Sequence, residues 1–359
     1  MSRQKHDSLS QVNTALQEAR SEPPIAPSVQ LPLNGEAKSD ARAVTASRPL
    51  TLIGVPAAAI IALAIDFFAA KHETPPPAPY YRFLLFGILG IALLGWALFP
   101  FFRRLRPWMR NNSPIIAGVV LLAGAWELIT SGFRLLPLPY FPGPTAVLQS
   151  MVSDRALLFD STWHSLILLL SGYFLGVAIA LVTGITIGWF PHARYWGMPV
   201  LKVVGPIPAT AWIPLAMVVS PSALFSAIGL IALAVWFPVT MLTASGISNT
   251  KASYIDVART LGASPRYLIF RVAIPAAVPH IFIGLFMGLG TSFLTLVVAE
   301  TVGVKSGLGW YLSWAQGWAE YGKVYGALAI MAAFFSTIMT VLFKARDRVL
   351  VWQKGVIKW

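Results

Sequence analysis

The chain has 359 residues, of which 56% are hydrophobic and 11% are charged, whereas soluble domains are about 25% charged. This composition excludes an ordinary soluble protein and indicates an all-α integral membrane protein, because helices satisfy their own backbone hydrogen bonds in lipid. The absence of cysteine excludes disulfides and thiol chemistry, and the net charge of +13 is spread over short loops, which favours membrane topology over nucleic-acid binding.

Residues 1–50 are polar and contain several prolines without any period, which predicts a disordered tail. After this tail come apolar runs near 20 residues long, the length that crosses a bilayer. We therefore predict about eight spans, at 51–70, 83–101, 114–132, 165–190, 197–219, 223–246, 276–299 and 324–343.

The positive charges predict the orientation of these spans. Twenty of the twenty-seven Lys and Arg residues lie in the segments that share one side of the membrane with the tail. Since cytoplasmic loops are rich in Lys and Arg, both termini are predicted to lie in the cytoplasm.

Residues 51–110 are predicted to form a transmembrane hairpin followed by a basic linker. The two spans are joined by "KHETPPPAPYYR", a proline run typical of extended polyproline conformation. Asp66 is interpreted as an interfacial acid that reaches toward water, and the hairpin as an appendage.

Between two spans, the cytoplasmic loop 247–275 contains a short amphipathic helix. Its apolar stripe consists of Tyr254, Val257, Ala258 and Leu261, with Asp256, Arg259 and Thr260 turned away. This helix is predicted to lie on lipid headgroups or to dock a protein, and periodicity alone does not separate the two.

The helix ends carry their own signals. Ser253 and Asp256 fit a capping box, and Gly262 stands where the chain needs a left-handed exit. Ser264 and Pro265 then predict a second helix over 265–272, which ends where Pro275 begins the next span. The loop is therefore expected to form a rigid elbow.

The elbow pattern, D-V-A-x-x-x-G followed by ten residues and A-I-P, resembles the "EAA" loop of the permease subunits of bacterial ABC importers. Asp256 stands for the Glu of that loop, Val257 and Ala258 for its two Ala residues, Gly262 for its Gly and Pro275 for its Pro. In that family the elbow is the coupling helix that sits in a groove of a cytoplasmic ATPase.

The resemblance extends from about residue 111 to the end, to the nitrate, sulfonate, taurine and bicarbonate group of these permeases. It is carried by "WELITSGFRLLPLPYFPGPTAVL", "GPIPATAWIPLAMVV", "LTLVVAETVGVKSGLGWYL" and "RDRVLVWQKGVIKW". It implies a six-helix type I ABC importer permease core over 111–359, with the N-terminal hairpin as an addition.

The family also implies the partners: ATPase subunits that bind ATP and Mg, an extracytoplasmic substrate-binding protein and a second permease copy, a homodimer in the bacterial inner membrane. This chain has no G-x-x-x-x-G-K-[ST] phosphate loop. We therefore expect no ATPase site, no enzyme activity and no bound cofactor in the chain itself.

The segment "GPIPATAWIP" contains prolines that interrupt helical hydrogen bonding, and broken backbone at membrane depth needs protein or water beside it. We therefore predict that this segment faces the translocation path, a packing kink being the alternative. The predicted path residues are Pro206, Pro208, Thr210, Trp212 and, from another span, Glu300. Freed amides and the Thr210 hydroxyl could bind an oxyanion.

Two acids lie near the outer ends of spans. Glu300 is interpreted either as an interfacial carboxylate or as a gating residue, and Glu127 as an interfacial carboxylate. Glycine pairs such as Gly172 with Gly176 and Gly284 with Gly288 permit close helix crossings, within the chain or between two copies.

Two other functions fit the sequence less well. An ion-gradient-driven secondary transporter would use intramembrane acids or histidines, yet no acid falls at a span centre. A membrane enzyme or haem carrier would need facing histidines or a catalytic constellation, and neither recurs at usable spacing.

Overall fold

The structure is a computed structural model that describes residues 50–70, 79–98 and 105–351. The predicted tail before Leu50, the proline run at 71–78, part of the basic linker and the last eight residues lie outside the described residues. Throughout the described part every regular element is helical, as the composition predicts.

Twelve helices of seven residues or more make up the described chain. They are α1 Leu50–Ala70, α2 Tyr80–Leu98, α3 Leu105–Glu127, α4 Pro144–Ser153, α5 Arg155–Trp189, α6 Pro191–Val204, α7 Ile213–Val219, α8 Ala223–Ser248, α9 Ala252–Thr260, α10 Ile274–Val302, α11 Leu308–Gly317 and α12 Tyr321–Val349.

Short irregular turns extend three of these helices. A π turn, Leu128–Gly132, continues α3, and a 3₁₀ turn, Ala209–Trp212, leads into α7. Pro265–Tyr267 and a second π turn, Leu268–Ala273, lead directly into α10.

Six described helices are long and apolar enough to cross a membrane: 80–98, 111–132, 155–189, 223–248, 265–302 and 321–349. The span predicted at 197–219 is instead a pair of helices bent by 84°. Gly205, Pro206 and Pro208 lie at the bend, where the prolines provide no backbone donor. The first predicted span is a shorter apolar helix, Ile53–Ala69.

The core of the bundle is α5 packed against α8, which in turn packs against α10. A Cβ placed on Gly172 would come within 2.6 Å of Ile231, and one on Gly176 within 2.6 Å of the Ala232 carbonyl. Gly284 and Gly288 likewise lie against α8. These glycine pairs therefore serve packing inside the chain, because only a residue without a side chain allows such close backbones.

The N-terminal hairpin packs closely against α3. Small residues line the contact: Ala58 and Ala62 of α1 are buried in one cluster with Ala117, and a Cβ on Gly124 would touch Ala62 at 3.3 Å. Leu148 of α4 also packs against this cluster. The hairpin thus continues the apolar packing of the bundle.

Asp66 does not reach toward water, so its interpretation as an interfacial acid is wrong. Its side chain is 5% exposed and accepts a hydrogen bond from Arg82 Nε at 2.7 Å. The Arg82 guanidinium also lies 4.3 Å from the centre of the Phe67 ring. A buried carboxylate in an apolar helix pair requires such a cation, and the partner lies on the other helix of the hairpin.

Candidate functional site

The loop between α8 and α10 folds into the predicted elbow, although its helix ends differ from the prediction. Gly262 has φ +81°, as a left-handed exit requires. The α9 helix begins after Lys251, which provides no side-chain cap, so the capping box at Ser253 is wrong. Ser253 lies inside the first turn, two residues after the position of the cap.

The second arm of the elbow is continuous with the span that follows. The Ser264 hydroxyl accepts from the Tyr267 amide, which confirms the predicted N-cap. The predicted break at Pro275 is wrong, because the turn Leu268–Ala273 leads without interruption into α10. Pro275 lies in the first turn of α10, where a missing N–H is tolerated.

The apolar stripe of α9 faces open space. Tyr254 is 54% exposed, Val257 60% and Leu261 82%. Together with Ala258 and Gly262 they line a groove of about 730 Å³, whose other wall is Tyr267, Arg271 and Val272 of the second arm. Five of the eight predicted coupling residues therefore share one surface.

The remaining predicted coupling residues lie elsewhere on the elbow. Asp256 and Arg259 do not line the groove and form an exposed ion pair of 3.8 Å, a distance and exposure at which such pairs contribute little. Pro275 is exposed at the start of α10 and also lies outside the groove lining.

The broken segment between α6 and α7 borders a cavity of about 330 Å³. Its walls are the broken segment, α8 and α10, and its lining residues are Val204, Gly205, Ile207, Pro208, Ala209, Thr210, Leu233, Ala234, Phe237, Pro238, Met287, Thr291, Leu294 and Thr295. The lining carries no charged side chain. Its side-chain hydroxyls come from three threonines, so the cavity is mostly apolar.

Two of the predicted path residues line this cavity, namely Pro208 and Thr210, whereas Pro206, Trp212 and Glu300 do not. The Ile207 amide donates to the Val204 carbonyl and the Ala211 amide to the Pro208 carbonyl, so the prolines free fewer amides than expected. The contributions of α8 and α10 were missed. In the sequence, Pro238 inside a predicted span was the feature that could have indicated the contribution of α8.

Glu300 is a buried clamp at the end of α10. It is 1% exposed and accepts hydrogen bonds from the Ser165 hydroxyl at 2.6 Å and the Gly309 amide at 2.7 Å. The Ser165 oxygen in turn accepts from the Leu308 amide at 2.8 Å. Glu300 therefore joins α10 and α5 to the first turn of α11, which makes the interfacial interpretation wrong.

Glu127 makes a second clamp of the same kind at the end of α3. It is 2% exposed and accepts from both the amide and the hydroxyl of Thr145, in the first turn of α4. Gly143 and Gly307 precede the two clamped helices, and in both places a Cβ would meet the carboxylate. The interfacial interpretation of Glu127 is therefore also wrong.

The two clamped helices are joined to each other and to α12. Asp154, at the end of α4, accepts from the Tyr311 hydroxyl of α11 at 2.9 Å and pairs with Lys323 of α12 at 3.1 Å. Burial and the bond to Asp154 raise the pKa of Tyr311 well above its usual range. The tyrosine therefore remains a hydrogen-bond donor, and this end of the bundle is cross-linked by polar contacts.

These features define a class: a multi-pass helical membrane protein with a mostly apolar cavity and an exposed amphipathic elbow. The family of binding-protein-dependent transport system inner membrane components matches residues 172–350. Residues 172–350 therefore belong to this family, the permeases of ABC importers.

Several curated proteins are similar to the chain. A probable ABC transporter permease protein of Brucella melitensis is 34% identical, over 45% of this chain and 65% of the relative. The bicarbonate transport system permease protein of Synechocystis sp. is 29% identical, over 49% and 68%. The taurine transport system permease protein of Escherichia coli is 27% identical, over 51% and 70%.

The chain spans about two thirds of the length of the curated relatives it matches, 66% and 65% for two of them. Among solved structures, a chain of the MetNI methionine ABC transporter has a TM-score of 0.48 and 18% identity, over 55% of this chain and 98% of that chain.

Proposed function

We propose that the chain is the permease subunit of an ATP-binding-cassette importer that carries a small oxyanion-type solute of the nitrate, sulfonate, taurine or bicarbonate class. The observation that carries the proposal is the elbow, whose exposed apolar groove requires a covering partner. The solute class is supported by relatives that are named as bicarbonate and taurine permeases.

In this proposal a cytoplasmic ATPase holds the elbow and transmits its closure to the membrane. The second arm of the elbow continues into α10, which forms one wall of the cavity. A rigid displacement of α9 would therefore move α10 against α8 and the broken segment. Alternating access of the cavity to the two sides of the membrane would follow from this motion, with ATP and Mg bound by the partner.

In this proposal the other partners bind to the remaining surfaces of the chain. A substrate-binding protein would dock outside, on the end of the bundle that Glu127 and Glu300 clamp. A second copy of the chain would cover the exposed apolar face of α7, where Leu215, Val218 and Val219 are 55%, 85% and 75% exposed. Both termini then lie in the cytoplasm of a bacterium, and residues 1–110 remain an addition to the core 111–359.

The test is co-purification from the native membrane through a C-terminal tag. A stoichiometric ATPase that is lost in Val257→Asp or Leu261→Asp is the expected result, because both charges would enter the apolar groove. Ala252→Asp is the matched control, since Ala252 is exposed on the same helix but does not line the groove.

Two results would count against the proposal. A chain that purifies alone, under conditions that preserve other membrane complexes, would favour an ion-gradient-driven transporter. If the ATPase stayed bound equally to Val257→Asp and Ala252→Asp, its binding surface would lie outside the groove. The solute class is tested separately, by uptake of radiolabelled taurine, bicarbonate and nitrate into vesicles that contain the complete complex.

A further inference from the structure

The α8 helix runs through a proline at the wall of the cavity. Pro238 has no N–H, so the carbonyl of Ala234, four residues earlier, loses its donor within the helix. Both residues line the cavity. In an apolar surrounding an unpaired carbonyl is unfavourable, and another donor has to replace the missing one.

Thr291 of α10 supplies this donor. Its hydroxyl oxygen lies 3.0 Å from the Ala234 carbonyl oxygen. The same hydroxyl also lies 3.2 Å from the Met287 carbonyl and 3.0 Å from the Gly288 carbonyl of its own helix. Those two carbonyls already accept amide bonds of the α10 ladder, whereas the Ala234 carbonyl does not have its helical donor. Of the three carbonyls within reach, only that of Ala234 therefore depends on the Thr291 hydroxyl for its hydrogen bond.

This bond lies next to a close contact between α8 and α10. Gly284 and Gly288 place α10 against Val235 and Val239 of α8, and Thr291 follows Gly288 by less than one turn. At the level of Thr291 both helices border the cavity, and their packing continues beyond it, where Ile231 lies in one buried cluster with Leu296. The Thr291 bond thus joins the two helices at the point where their contact borders the cavity.

We propose that Thr291 is a positioning residue: its hydroxyl replaces the backbone bond that Pro238 removes and holds α8 and α10 together at the wall of the cavity. Without the hydroxyl, the two helices separate at Pro238 and the cavity widens. The inference rests on the proposed function only for calling this cavity part of a transport path.

The test uses a reactive cysteine at the cavity wall, which is possible because the natural chain contains no cysteine. In a Leu294→Cys parent, the rate of labelling by a small water-soluble maleimide reports how open the cavity is. Leu294 lines the cavity and is 68% exposed. Thr291→Val should raise this rate roughly 3- to 10-fold, the equilibrium shift that follows from losing one ordinary hydrogen bond.

Three further variants separate the proposal from a general loss of structure. Thr291→Ser keeps the hydroxyl and should label at the parent rate. Thr295→Val removes a hydroxyl from the same cavity, but this one donates to the Thr291 carbonyl of its own helix, so its loss should have little effect. In a Pro238→Ala background the restored backbone amide can donate to the Ala234 carbonyl, and Thr291→Val should then change nothing.

Equal effects of Thr291→Val with and without Pro238→Ala would overturn the proposal. So would equal effects of Thr291→Val and Thr295→Val, a comparison that remains available if Pro238→Ala does not fold. Labelling requires neither ATP nor solute. A chain that proves not to be an importer can therefore still confirm the Thr291 bond, and an importer can still refute it.

Discussion

At the scale of single residues, the two buried carboxylates Glu127 and Glu300 have the same role, which is to accept hydrogen bonds from the start of a short helix. The first turn of a helix has backbone amides without partners, and a buried helix start needs acceptors for them. Each glutamate extends from the end of a span and accepts from the first turn of a short helix.

Glu300→Ala should destabilise the protein, because it leaves the Gly309 amide and the Ser165 hydroxyl without their acceptor. A buried group that loses its partner costs about 1 to 3 kcal/mol. We expect a lower thermal unfolding midpoint in detergent and faster proteolysis in the segment 303–308.

Glu300→Gln is the matched variant, since its amide oxygen can still accept from Gly309. It should retain most of the stability. Glu320→Ala removes a carboxylate whose side chain is 45% exposed and should have a small effect. If Glu300→Ala and Glu320→Ala unfolded at the same temperature, the clamp would have no role in stability.

At the scale of elements, the elbow depends on one backbone conformation. Gly262 has φ +81°, and a Cβ placed on it would meet no atom within 4 Å. Within the chain, the effect of a Cβ at this position therefore comes from backbone strain, since it overlaps no other atom. Because Gly262 also lines the groove, a variant with a side chain that tolerates the conformation is needed as the control. With this control, the position tests the angle between the two arms.

Gly262→Val should change the angle of α9 relative to α10, because the left-handed conformation costs about 1 to 2 kcal/mol for an ordinary residue. In the assembled transporter we expect ATP hydrolysis that no longer responds to solute, while the spans remain inserted. Gly262→Asn should behave like the natural protein, since asparagine tolerates this conformation. Unchanged solute stimulation in Gly262→Val would contradict the coupling role.

The contact between α5 and α8 leads to a second prediction at this scale. Gly176→Val should prevent correct packing, because its Cβ would lie 2.6 Å from the Ala232 carbonyl oxygen, and backbone cannot move aside as a flexible side chain can. The measurement is the yield of monodisperse protein in detergent.

Gly229→Val is the control for Gly176→Val. It places the same residue in a neighbouring span, at a position where a Cβ meets nothing within 4 Å. A normal yield is expected, and a loss as large as that of Gly176→Val would point to an effect of valine in the helix instead of the contact.

At the scale of the whole molecule, the N-terminal hairpin lies against α3 and α4, away from the groove and the cavity lining described above. Deletion of residues 1–100 exposes the face of Ala117 and Val120 to lipid, whose chains are as apolar as the helices they replace. We expect normal insertion and retained solute uptake, with a lower unfolding midpoint in detergent. Loss of all uptake despite normal insertion would show that the hairpin has a role in transport.

Much of this architecture follows from the amino-acid sequence alone. Apolar runs and helix punctuation are local properties, so they predicted the helical class, six of the eight proposed spans, and the glycine exit and serine cap of the elbow. The eight residues predicted for coupling all lie on that elbow, although Asp256, Arg259 and Pro275 lie outside its groove.

Only the tertiary structure decided which residues meet across the chain. Ser165 donates a hydrogen bond to Glu300, which lies 135 positions later in the chain, and Thr291 donates to the Ala234 carbonyl, 57 positions earlier. Arg82 pairs with Asp66 from the opposite helix of a hairpin. Apolar spacing identified the exposed stripe of the amphipathic helix α9, but a span that is apolar on all sides shows neither which face meets a neighbouring helix nor which helix that is. Those are set by how the helices pack together, and so the polar partners inside the membrane became visible only in three dimensions.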